Sequence, residues 1–182
     1  MKNAFLIGES VYLRPVDMGD CDRFTNWFND ASVRPGVGRT HPIDRFGEEE
    51  FIRNAHKSTR SVVLSIVEKS TDIHIGSTGL HGIDQTHRSC IFGITVGDKS
   101  KWGKGYGTEA TQLMVNYAFG TLNLNRVQLH VFSFNDRAKS VYERVGFNEE
   151  GRLRQAQYHE GAYHHDIVMG ILRDEWETGR TE

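Results

Sequence analysis

Three glycines on alternate positions, Gly103, Gly105 and Gly107, sit inside the stretch KWGKGYGTEA (101–110). Placed after a strand and before a helix, such a turn aims several backbone N–H groups at one point, with no Cβ atoms to hold an anion away. Pyrophosphate is its natural guest. Two nucleotide signatures fail on spacing. A P-loop needs G-x-x-x-x-G-K-[ST], but Gly97 stands one residue too far from Gly103-Lys104, and Gly105 replaces the magnesium-binding hydroxyl. In the dinucleotide pattern G-x-G-x-x-G the third glycine would have to come one residue later, and the preceding strands form no βαβ unit. His159, Glu160, His164, His165 and Asp166 invite a metal reading. Adjacent histidines on a strand point to opposite faces, however, so the group reads as exposed hairpin polarity and no metal is expected. Cys21 and Cys90 have neither metal-ligand spacing nor a paired base, which fits a reducing compartment.

The elements that position the turn follow from periodicity. Residues 10–16 alternate as a strand, and Phe24, Trp27 and Phe28 mark a helix within 17–30. A loop around Pro35 to Pro42 leads to a second helix carrying Phe46, Phe51 and Ile52. Residues 61–68, 73–84 and 89–98 read as three strands of an antiparallel meander. From Gly107 the period changes: Ala110, Leu113, Met114, Tyr117 and Ala118 form one apolar helical face. Residues 126–132 make a strand, Ala138, Val141, Tyr142 and Val145 a helix stopped by Gly146, and the tail a hairpin turning at Glu160-Gly161.

Composition sets the bounds. At 182 residues, 37% apolar and 25% charged, the chain suits one globular domain over 1–182. Its 22 basic and 24 acidic residues give a net charge of -2, with no pull toward nucleic acid or an anionic bilayer. Neither a signal-peptide core nor a membrane-length apolar run is present, so a cytoplasmic protein is expected.

GDKSKWGKGYGTEA, followed by FNDRAKSVYERVGF (134–147), resembles the GNAT superfamily of acetyl-CoA-dependent N-acetyltransferases, in the branch of the ribosomal-protein-alanine and spermidine enzymes. The similarity runs from about Val11 to Trp176. It implies a mixed α/β fold with a largely antiparallel seven-stranded sheet, splayed between its fourth and fifth strands near residues 95 and 131, and about four helices. It also implies acetyl-CoA as co-substrate. Thr95, Val96 and Gly97 would pair with the pantetheine arm, the turn Trp102, Gly103, Lys104, Gly105, Tyr106, Gly107 and Thr108 would bind pyrophosphate, and Asn135 would contact the pantetheine arm. Tyr142 matches the tyrosine beside the thioester sulfur. Trp102 stands where the family commonly has Arg or Gln, which leaves one phosphate contact unassigned. Phe92 stands near the position of a glutamate found in many members, so no general base carries over.

The implied reaction is direct attack by a primary amine of a peptide N-terminus, a polyamine or another small molecule. Tyr142 would protonate the leaving thiolate, their basicities being comparable at a tyrosine pKa of about 10. Periodicity alone makes Tyr142 a core aromatic. His81 is a candidate base or water-holder, and a core or surface histidine otherwise. The acidic residues Asp17, Asp20, Asp22, Asp30, Glu48, Glu49 and Glu50 would rim the acceptor site or simply solvate two helix faces. A non-catalytic acyl-CoA sensor is the competing reading, and a homodimer is compatible with the branch.

Overall fold

A computed structural model describes residues 1–179. One sheet runs through the molecule in the order β1 (Leu6–Ile7), β2 (Val11–Pro15), β3 (Val62–Glu68), β4 (Ile73–Asp84), β5 (Ser89–Val96), β6 (Arg126–Phe132), β8 (Ala162–Leu172), β7 (Asn148–His159). Every pairing is antiparallel except that between β5 and β6. The expected seven strands are thus eight. The additional β1, two residues set against Leu13 and Tyr12, is too short to register as an alternating pattern.

The helices are α1 (Cys21–Asn29), α2 (Arg45–Lys57), α3 (Tyr106–Gly120), α4 (Asp136–Val145) and a short α5 (Arg173–Thr178). The last takes residues assigned above to the closing hairpin: Glu175 accepts the N–H of Leu172 at 2.8 Å and starts a helical turn. Among the described residues no helix is long and apolar enough to cross a membrane.

Strand alternation divides the interior in two. Val11, Leu13, Leu64, Ile66, Leu80 and Phe92 meet Ala110, Met114, Val115 and Phe119 of α3 and Tyr142 of α4. On the other face Val16, Cys21, Phe24 and Ile52 pack with Val63 beneath α1 and α2.

The parallel junction between β5 and β6 is only three residues long: Ser89, Cys90 and Ile91 pair with Arg126, Val127 and Gln128. Beyond it the strands part. Phe92–Val96 pair with β4 on one side and Leu129–Phe132 with β8 on the other, and the wedge between them is open. The splay falls at the expected place.

Candidate active site

The wedge is the mouth of a cleft of about 600 Å³. Ile94, Thr95 and Val96 form one wall, the glycine turn and the first residues of α3 its end, and Asn135 to Arg144 of α4 the opposite wall. Ala31 to Val33 and Pro35 to Val37 close it from the α1 side, and His159 and Glu160 reach in from the hairpin tip. Of the residues singled out in the sequence, Thr95, Val96, Trp102, Gly103, Gly105, Tyr106, Gly107, Thr108, Asn135 and Tyr142 line it.

Gly97 and Lys104 do not. The N–H of Gly97 donates to the Ile75 carbonyl at 3.0 Å, and a Cβ there would lie 2.1 Å from the Trp27 ring, so Gly97 is where α1 packs on the sheet. Lys104 is exposed at the crest of the turn. Because Gly97 faces β4, pleat alternation turns the N–H and C=O of Val96 toward the wedge.

The turn is shaped by two left-handed glycines, Gly103 at φ 73° and Gly105 at φ 85°. A Cβ on either would project into open space, which is the space an anion over the turn would need. This cradle, at the N-terminal end of a 15-residue helix, fits a pyrophosphate.

Glu68 holds the cradle at both ends. Its carboxylate, 4% exposed, accepts from Lys101 Nζ at 2.7 Å, just before the turn, and from the Tyr106 hydroxyl at 2.5 Å, just after it. Thr71 Oγ1 adds a third bond at 2.5 Å. Lys101, with Thr71 and Tyr106, holds the Glu68 pKa down at about 2, so the clamp is ionised at any ordinary pH. Sequence reading missed Glu68, because an acidic residue closing a strand carries no local signal of a partner more than thirty positions away.

Tyr142 lies at the cleft floor, 6% exposed, with its ring edge-on to Phe92 at 6.2 Å and Phe147 at 6.0 Å. It is therefore both a core aromatic and a cleft residue. Burial alone pushes its hydroxyl up to about 12, so it keeps its proton, and no hydrogen bond or nearby charge contributes. Asn135 caps α4, its Oδ1 accepting the Ala138 N–H at 3.3 Å, while its amide lies against Gly36. His81 is half-buried on β4 beside Gly79 and outside the cleft lining. Its pKa is lowered by burial.

None of the seven acidic residues expected at an acceptor rim lines the cleft. Asp20 is buried, 2.6 Å from Arg14 and 3.1 Å from His74. Burial opposes its ionisation, but the close His74 ring and the hydrogen bonds from Arg14 and Ser65 prevail and hold it well below the usual carboxylate range. Glu48 is fully buried, without a hydrogen-bond partner among the described residues, and burial raises its pKa. Asp30 pairs with Lys99, and Asp22 and Glu49 with Arg45. Phe134, His159 and Glu160 line the end of the cleft nearest the hairpin tip, with the Phe134 ring 4.5 Å from His159 and 5.0 Å from His164. Among the described residues no group of three metal-ligating side chains converges.

Comparison with known proteins agrees with this geometry. A family model described as an acetyltransferase (GNAT) domain matches residues 10–148. The chain is 30% identical over 170 residues to a spermidine N(1)-acetyltransferase of Vibrio cholerae, covering 93% of this chain and 97% of that one. It is 28% identical over 174 residues to an uncharacterized N-acetyltransferase, p20, of Bacillus licheniformis, covering 94% and 97%. A crystal structure of the Vibrio cholerae spermidine N-acetyltransferase in complex with CoA and spermine superimposes with a TM-score of 0.86 at 25% identity, over 93% of this chain and 99% of the other.

Proposed function

The chain belongs to the GNAT acetyltransferase family, and on that premise we propose that it moves an acetyl group from acetyl-CoA to a primary amine by direct attack in a ternary complex. The observation that carries the reading is the open edge of β5, with the glycine cradle at one end and the Tyr142 hydroxyl at its floor. The pantetheine arm lies along Thr95 and Val96, its pyrophosphate on the backbone of Trp102 to Thr108, and Asn135 flanks the arm. Gly97 shapes the wall, because its N–H is committed to Ile75.

A neutral amine attacks the thioester carbonyl from the side of Phe134 and His159. The C–N bond forms and the C–S bond breaks. The free N–H of Val96 faces the developing oxyanion. Tyr142 gives its proton to the thiolate, which departs at the same dehydrated floor where loss of hydration raises the basicity of both groups. The attacking nitrogen loses its own proton to solvent, and solvent returns one to Tyr142, so the enzyme ends the cycle as it began. No covalent enzyme intermediate is needed. The acceptor is a polyamine, a peptide N-terminus or another small amine; the spermine complex of the Vibrio cholerae relative supports the first.

Thiol release from acetyl-CoA is measured against spermidine, an aminoglycoside, and peptides with free alanine or serine N-termini. Release with one class establishes the enzyme and names its acceptor. CoA binding with silence across the whole panel favours the sensor reading, for which Phe92 at the strand position of the family glutamate is the supporting feature.

A further inference from the structure

Trp102 opens the anion turn with a side chain that cannot itself carry charge to a phosphate, yet its position is fixed from two sides. Its indole N–H donates to the Val96 carbonyl at 2.6 Å, the carbonyl that faces the wedge. The guanidinium of Arg137, from the first turn of α4, lies 3.6 Å from the centre of the indole ring. That separation is well inside cation–π range.

Arg137 lines the cleft, is open to solvent and makes no ion pair with any described residue. Its pKa is pulled down by partial loss of hydration, with no carboxylate to pull it back. Of the lysines at this end, Lys101 is neutralised by Glu68, Lys99 pairs with Asp30, and Lys104 stands exposed at the crest of the turn, outside the cleft lining. A guanidinium without a counter-charge, held in a cleft beside an anion cradle, lacks one partner.

We propose that Arg137 is a phosphate-binding residue for CoA and that Trp102 is the shelf that holds it at the turn. The stacking brings the guanidinium from α4 to the head of the turn. The physical gain is pre-organisation: a free arginine side chain loses much rotamer freedom on binding. Stacking on a ring that is itself hydrogen-bonded to the strand removes part of that loss beforehand, and leaves the N–H fork free at its edge for phosphate oxygens. Arg144 lies on the same face of α4, two turns further on, and also lines the cleft, but no aromatic ring supports it.

This inference rests on the acyl-donor reading above, and the two fail separately. Dissociation constants are measured by calorimetry for CoA, 3′-dephospho-CoA and pantetheine against the native protein and Arg137→Gln, Arg144→Gln, Trp102→Phe and Trp102→Leu, with melting temperatures confirming folding. Arg137→Gln should weaken CoA about 10- to 100-fold, the range for losing a charge-assisted hydrogen bond, and leave pantetheine unchanged. If that penalty vanishes with 3′-dephospho-CoA the partner is the 3′-phosphate; if it persists the partner is the pyrophosphate.

Trp102→Phe, which keeps a ring face, should retain most of the affinity. Trp102→Leu should reproduce much of the Arg137→Gln loss for CoA. Equal CoA affinity in native protein and Arg137→Gln overturns the proposal. So does an equal loss in Arg144→Gln, which would mean a diffuse positive field rather than a seated guanidinium. Failure of the native protein to bind CoA refutes the acetyltransferase reading instead.

Discussion

Replacing Tyr142 with Phe removes one oxygen from the cleft floor and nothing from the packing against Phe92 and Phe147. The hydroxyl has no hydrogen-bond partner among the described residues to lose, so the stability change should stay within about 0.5 kcal/mol and the melting temperature should barely move. Catalysis should respond differently. A positioned general acid contributes on the order of 10²- to 10⁴-fold, and kcat with acetyl-CoA should fall by that factor while CoA binding is kept. An acetyl thioester of an aromatic thiol supplies the internal control, because its anion leaves without needing a proton and the variant should approach native turnover. The wild-type pH profile adds a constraint: with the hydroxyl pushed up to about 12, Tyr142 should produce no falling limb below pH 10. Full turnover of acetyl-CoA by Tyr142→Phe, or the same loss with both thioesters, would falsify the assignment.

Glu68→Gln should loosen both ends of the turn, raising KM for acetyl-CoA more than it lowers kcat. Because the Glu68 pKa is depressed from 4.5 to about 2, its stabilisation is present above pH 4.5 and is lost as pH falls toward 2. Acid titrations of native and variant protein should therefore converge over that window. Gly97→Ala drives a methyl group into Trp27, which is backed by Phe24 and His74. Overpacking of this kind costs about 1–3 kcal/mol, and differential scanning calorimetry should read a loss of several degrees. Cys21 and Cys90 are both buried, and burial pushes Cys90 up to about 12. A disulfide reagent should label neither thiol in the native protein and both after denaturation; rapid native labelling of Cys90 contradicts the packing around it.

Periodicity was enough to place the strands and four helices, because each buries one face and writes that face at period 2 or 3.6. It was blind to β1 and to α5, whose two and six residues are too short for a period to show. At the site, the glycine turn was legible because left-handed backbone at Gly103 and Gly105 restricts residue type. The partners that complete it were not. Glu68 braces the turn, and Phe134 and Arg137 line the cleft, only through tertiary contacts, and their residue types are equally at home on an open surface. Acidic residues misled for the same reason. Asp20 and Glu48 share helix-like neighbourhoods with Asp22 and Glu49, and only packing separates the buried pair from the pair that reaches solvent beside Arg45.

The wedge between β5 and β6 has a consequence for how this protein survives in concentrated solution. Five residues of β5 and four of β6 present backbone edges that no neighbouring strand covers. At the margin of a sheet such edges recruit strands from other molecules and seed aggregates. Here they diverge from a shared three-residue root and sit inside the sheet, with α4 across one side and the Arg34–Val37 turn across the other. A slim, flexible chain can thread that gap, and a β-strand with side chains on both faces cannot. The hydrogen-bonding vacancy is thus hidden from the crowd by its taper, without the lysines or prolines that guard an outer margin.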